Sequence, residues 1–143
     1  MTLLVDAAPL VAAAGIEEPQ REAIADVLRS ESGALVLPAP VAAEVDYLLG
    51  RRYGQRARRS FLRDLAAARY RTPGLEPADH ALVLELDERY RDLELGLADL
   101  SLVVLAYRLD TRRVLTFDER HFRAVRPLQG GAFELLPADR EHR

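Results

Sequence analysis

Four short apolar runs limit what this chain can fold into. They are Thr2 to Val5, Ala34 to Leu37, Arg113 to Thr116 and Ala132 to Leu136. Each is too short for a stable helix and rich in branched or bulky apolar residues, so each reads as a buried strand. The segments between them carry helical periodicity and helix punctuation. Pro9 opens a short helix through Ala14, stopped by Gly15, and Pro19 opens another, with Ile24, Val27 and Leu28 on one face, that ends near Ser32-Gly33. Further helices are expected from Pro40 to about Leu49, from Gly54 to about Ala68, from Pro77 to about Leu93 and from Ala98 to Leu109. Pro73-Gly74 marks a turn, and Asp118 caps one short helical turn. Short strands alternating with helices form a mostly parallel sheet covered on both faces, a three-layer α/β/α architecture. A length of 143 residues fits one domain, placed at residues 1–137, with a polar tail at 138–143 that reads as frayed.

In such sheets, sites form beyond the carboxyl ends of the strands. Asp6 ends the first strand, and Asp118 lies two residues past the third. Glu44 shares a helical face with Val41, Val45 and Leu48 and is expected to point inward or nearly so; Asp99 relates in the same way to Leu102, Val103 and Ala106. Charged residues on apolar stripes are rarely buried without a partner. If the four acids converge, each pair about 4 Å apart costs roughly 4 kcal/mol at an effective dielectric near 20, so a cation must offset them. Hard oxygen donors without cysteine favour Mg²⁺ or Mn²⁺ over zinc. Each acid also has a plain structural alternative: Asp6, Asp99 and Asp118 can cap helices, and Glu44 can pair with an arginine. The joint site is preferred because the alternative needs four independent coincidences.

Charge narrows the chemistry further. All 20 basic residues are arginine. The missing lysine removes a Walker A site, a pyridoxal Schiff base and a kinase-type phosphate lysine, and counts against a response-regulator receiver. The absence of cysteine removes thiol nucleophiles, disulfides and thiolate metal sites; the four serines lie outside any nucleophile elbow. His80, His121 and His142 are too scattered for a zinc signature. No run is long enough to span a membrane, and residues 1–15 lack a basic leader, so the cytoplasm is the expected compartment.

The net charge of -3 conceals segregation: residues 51–71 hold eight arginines against the single acid Asp64, a net +7, which leaves -10 elsewhere. On the helix from Gly54, Arg56, Arg59 and Arg63 share one stripe, roughly opposite Ala57, Phe61, Leu65 and Ala68. The stripe is either a solvated face or a contact for RNA phosphates. Asp46 is expected to be solvated or paired, and His121 to be structural. Tyr47, Tyr53 and Tyr107 are assigned to core or interface packing in preference to base stacking.

Taken together, VDAAPL at Asp6, VAAEVDYL at Glu44, GLADLSLVVLA at Asp99 and LTFDERHF at Asp118 resemble the PIN domain. The length and the closing VRPLQGGAFELLP resemble the VapC toxins of bacterial toxin–antitoxin pairs, and Thr116-x-Asp118 reproduces a family signature. The resemblance implies an Mg²⁺- or Mn²⁺-dependent endoribonuclease. Asp6, Glu44, Asp99 and Asp118 would be its catalytic, metal-binding acids, and Thr116 would support them through its hydroxyl. It also implies a homodimer, a cognate antitoxin that inhibits the enzyme, and structured RNA as substrate, either tRNA or the sarcin–ricin loop of large-subunit ribosomal RNA. The chain departs from the family at Ala7-Ala8, where relatives usually carry a hydroxyl residue after the first acid. Two other readings stand beside this one: an RNA-processing PIN nuclease without a toxin role, and a non-catalytic binding domain.

Overall fold

The four expected strands form one sheet. In the computed structural model, which describes residues 1–142, β1 (Thr2–Val5), β2 (Ala34–Val36), β3 (Arg113–Leu115) and β4 (Glu134–Leu136) are all parallel, in the order β2-β1-β3-β4. Helices α1 (Ala7–Ala14), α2 (Arg21–Ser30), α3 (Ala39–Tyr53), α4 (Gln55–Ala66), α5 (Pro77–Arg89), α6 (Leu97–Arg108) and α7 (Glu119–Ala124) flank it. The sheet is therefore wholly parallel among the described residues. Leu3, Leu4, Val5, Val114, Leu115 and Leu135 are fully buried, as expected for strands covered on both faces. No helix among the described residues is long and apolar enough to cross a membrane.

The chain leaves β1 toward β2 on one side, then crosses back to place β3 on the other. This reversal makes the gap between the carboxyl ends of β1 and β3 the topological switch point, where side chains from both halves converge. The Asp6 backbone amide donates to the Leu115 carbonyl at 2.9 Å, which carries the β1–β3 pairing to the rim.

Two boundaries differ from expectation for identifiable reasons. Gly50 does not stop α3, which continues to Tyr53; the break comes at Gly54, whose φ of 91° suits glycine. α5 ends at Arg89, before a short 3-10 turn (Arg91–Leu93) and a left-handed Glu94. Within the expected tail a 3-10 turn spans Ala138–His142, and Arg143 lies outside the described residues. Asp139 anchors it by accepting from the Leu135 amide at 2.7 Å and from Arg123.

At the opposite, amino end of the sheet, Arg113 clamps the strands. Its Nη2 lies 2.7 Å from Glu31 and its Nε 3.8 Å from Glu134. The hydrogen bond from Arg113 holds the Glu31 carboxyl below the usual range. Removing one member of a largely buried pair strands the other charge. Arg113→Leu should therefore destabilise the fold by about 3 kcal/mol in equilibrium urea unfolding. Adding Glu31→Gln should recover part of that loss; a double variant no better than the single would refute the clamp.

Candidate metal centre

Asp6 follows β1 directly and is 7% exposed. Its Oδ1 accepts from the Ala7 amide at 2.8 Å, which caps α1, and its Oδ2 accepts from the Thr116 hydroxyl at 2.7 Å. Thr116 follows β3 and is itself buried; its hydroxyl also accepts from the Asp118 amide at 3.0 Å. One hydroxyl thus ties the acid after β1 to the acid after β3. The departure at Ala7 leaves this arrangement intact, because Ala7 contributes its backbone amide.

The other acids come from helices. Asp99, in the first turn of α6, accepts from the Gly96 backbone at that helix's N-cap. Asp118 caps α7, with Oδ1 accepting from the His121 amide at 3.1 Å and Oδ2 lying 2.7 Å from His121 Nδ1. Glu44 projects from α3 on an exposed margin, unlike its inward-facing neighbours Val41 and Val45. The inward placement expected for Glu44 is corrected: the buried stripe of α3 is Val41, Val45 and Leu49, and Glu44 lies beside it. Among the described residues, no ion pair joins it to an arginine.

The electrostatics join the four acids. Burial, then the nearby Asp99 and Glu44, push the Asp6 carboxyl up to about 6, against the lowering effect of its two hydrogen bonds. Burial and Asp99 raise Glu44. Burial raises Asp99, with Asp118 adding to the effect and the Gly96 backbone and His121 opposing it. Asp99 thus helps raise Asp6 and Glu44 and is itself raised by Asp118. Oxygens of Asp99 and Asp118 and a ring nitrogen of His121 lie within 4.8 Å of one another.

A set of carboxylates that hold protons too tightly, with hard oxygen donors and one imidazole, fits a divalent cation. Asp6, Glu44, Asp99 and Asp118 would hold it. Asp6 and Asp118 cap α1 and α7, and Asp99 lies in the first turn of α6, so each sits at a helix start. His121, expected to be structural, bonds the Asp118 carboxylate and also lies beside Asp99. Its i, i+3 spacing from the capping Asp118 was the available signal.

On α4, Arg56, Arg59 and Arg63 are exposed and have no ion pair among the described residues, while Phe61 packs inward. Arg52, Arg58 and Arg69 are instead engaged by Glu18, Asp46 and Asp64. Tyr47 and Tyr107 lie outside the core, at 61% and 50% exposure. Tyr53 is half-buried and donates its hydroxyl to Glu18 at 2.9 Å.

The PIN-domain family profile matches residues 3–127. The chain is 36% identical over 135 residues to Ribonuclease VapC26 of Mycobacterium tuberculosis (strain ATCC 25618 / H37Rv), covering 94% of this chain and 100% of that protein. Its fold resembles the crystal structure of Mycobacterium tuberculosis VapC20, a sarcin–ricin loop cleaving toxin, with a TM-score of 0.75 at 17% identity over 82% of this chain and 90% of the other. It also resembles VapBC2 from Rickettsia felis, solved bound to a DNA fragment from their promoter, with a TM-score of 0.69 at 16% identity over 94% and 98% of the two chains.

Asp6 binds its proton more tightly when folded, so metal-free stability is favoured below its unfolded value of 3.8 and lost as pH rises through about 6. Asp6→Asn should therefore melt higher than the metal-free wild type at pH 7.5, and the gap should close as pH falls through about 6. A gap independent of pH in thermal melts would show that Asp6 carries no such strain.

Proposed function

Because the chain belongs to the PIN-domain family and is a homologue of the VapC ribonucleases, we propose that it is a divalent-metal-dependent endoribonuclease toxin of the cytoplasm, held inactive by a cognate antitoxin. The observation that carries the reading is the grouping of Asp99, Asp118 and His121, whose ligand atoms lie within 4.8 Å of one another, together with the buried Asp6 tied to Asp118 through the Thr116 hydroxyl. Mg²⁺ or Mn²⁺ is the proposed cofactor, since the donors are mostly hard oxygens. When bound, it supplies Lewis-acid stabilisation of the phosphate and a more acidic water.

The protein's own residues do the positioning. Asp6 is fixed by the Ala7 amide and the Thr116 hydroxyl, so its oxygens need little reorganisation on loading. His121 fixes the Asp118 carboxylate in the same manner. Arg56, Arg59 and Arg63 on α4, which packs against the Glu44 helix, are proposed to bind the RNA backbone. Structured RNA is the proposed substrate, with tRNA or the sarcin–ricin loop as candidates, and a homodimer is the proposed assembly. The similarity to a sarcin–ricin loop cleaving toxin supports the second candidate, and the similarity to a VapBC protein supports the antitoxin partner.

Incubation with total RNA should give cleavage only when Mg²⁺ or Mn²⁺ is supplied. Asp6→Asn and Asp99→Asn should each lower the rate by at least about a hundredfold, the scale of losing one preorganised electrostatic group. Undiminished cleavage in both variants would reject the centre. No metal-dependent cleavage by the wild type would favour a binding domain. In an inactive background, replacing Arg56, Arg59 and Arg63 with glutamine should reduce the slope of log affinity against log salt by about 2. An unchanged slope would remove α4 from the RNA surface.

A further inference from the structure

α3 has a second face that the core does not use. Glu44, Tyr47 and Arg51 stand at i, i+3 and i+7 and are all exposed, while Val41, Val45 and Leu49 bury the opposite side. Neighbours at this spacing lie about 5–6 Å apart at Cβ, so the stripe runs from the acid cluster to a phenol ring and on to a guanidinium. Neither Tyr47 nor Arg51 has a hydrogen bond or ion pair among the described residues.

Beside the stripe is a shallow hollow of about 340 Å³ lined by Asp46, Tyr47, Gly50, Arg51, Gln55 and Arg58. Its charge is already sorted. Arg58 Nε lies 2.7 Å from Asp46, which neutralises that acid, and Arg58 Nη1 donates to Gln55 Oε1 at 3.0 Å. The hollow therefore presents an aromatic face, a held guanidinium and a free one. Exposing a tyrosine ring at this level is not explained by packing, since it contributes nothing to the core. An aromatic platform flanked by cations is the surface on which single-stranded nucleic acid binds, through base stacking and phosphate contact. Duplex RNA hides its base faces and cannot use the ring.

We propose that Tyr47 is a stacking platform for an unpaired base next to the scissile phosphate, and that Arg51 binds a neighbouring phosphate of the same strand. The inference rests on the ribonuclease reading and adds to it which residues grip the strand beside the cut. Tyr47 acts through the substrate and leaves the acids untouched, so its loss is felt in binding.

The test uses fluorescence anisotropy with a short fluorescein-labelled oligoriboadenylate in the Asp6→Asn background, alone or annealed to oligouridylate. Tyr47→Ala should weaken single-strand binding about tenfold, Tyr47→Phe should stay within about twofold, and neither should alter duplex binding. Arg51→Gln should weaken binding and reduce the salt slope by about 0.7. In the active protein, Tyr47→Ala should raise KM with little change in kcat, and melting temperature should be unchanged because the ring is exposed. Equal single-strand affinity for Tyr47→Ala and Tyr47→Phe would overturn the proposal. So would a change in oligomeric mass on Tyr47→Ala, by light scattering, without a change in RNA affinity; that result would make the face a protein contact. If the wild type cleaves nothing yet the stacking effect persists, the nuclease reading fails while the strand-binding surface stands.

Discussion

The hydrogen bond from the Thr116 hydroxyl to the Asp6 carboxylate holds the centre together. It joins the residue after β1 to the residue after β3 at the switch point of the sheet, and the same hydroxyl accepts from the Asp118 amide. Both Asp6 and Thr116 are buried, so the interaction operates in a low-dielectric setting where an unmet partner is costly. Geometry elsewhere follows from it. Asp6 and Asp118 are placed by one hydroxyl, and the α6 start sets Asp99 beside Asp118.

The cluster is unfavourable on its own terms. Three carboxyls are raised by burial and by one another, yet the fold retains them. Natural folds keep such strain where function requires it. The stabilising elements lie elsewhere: the buried strand residues, and the Arg113 clamp with Glu31 and Glu134 at the far end of the sheet. A firm amino end and an acid-rich carboxyl end thus stand at the two edges of one sheet.

Much of this was legible in the sequence. The β1 and β3 runs are short, apolar and bounded by acids, so both strands and the rim positions of Asp6 and Asp118 could be read directly. The Thr116 role came through family resemblance. Other features depend on geometry that spacing does not encode. Glu44 looked inward because Val41, Val45 and Leu48 lie at helical spacing from it, but the buried stripe is centred on Val41, Val45 and Leu49, which turns Glu44 to the margin. The helix from Pro40 was expected to end near Leu49, yet α3 runs on to Tyr53 and breaks at Gly54, whose positive φ suits glycine. His121 lies beside Asp99 and Asp118 while bonding the Asp118 carboxylate, and Tyr47, assigned to packing, stands 61% exposed.

The central claim is that these acids form one divalent-cation site with Asp99 as its hub. Electron paramagnetic resonance of Mn²⁺ titrated into the protein at neutral pH tests it most directly, because the free-ion signal falls as the ion is bound. The account predicts saturable uptake by the wild type and its loss, by at least about tenfold in affinity, in Asp99→Asn. Equal uptake by the two proteins, or none by the wild type, would contradict it.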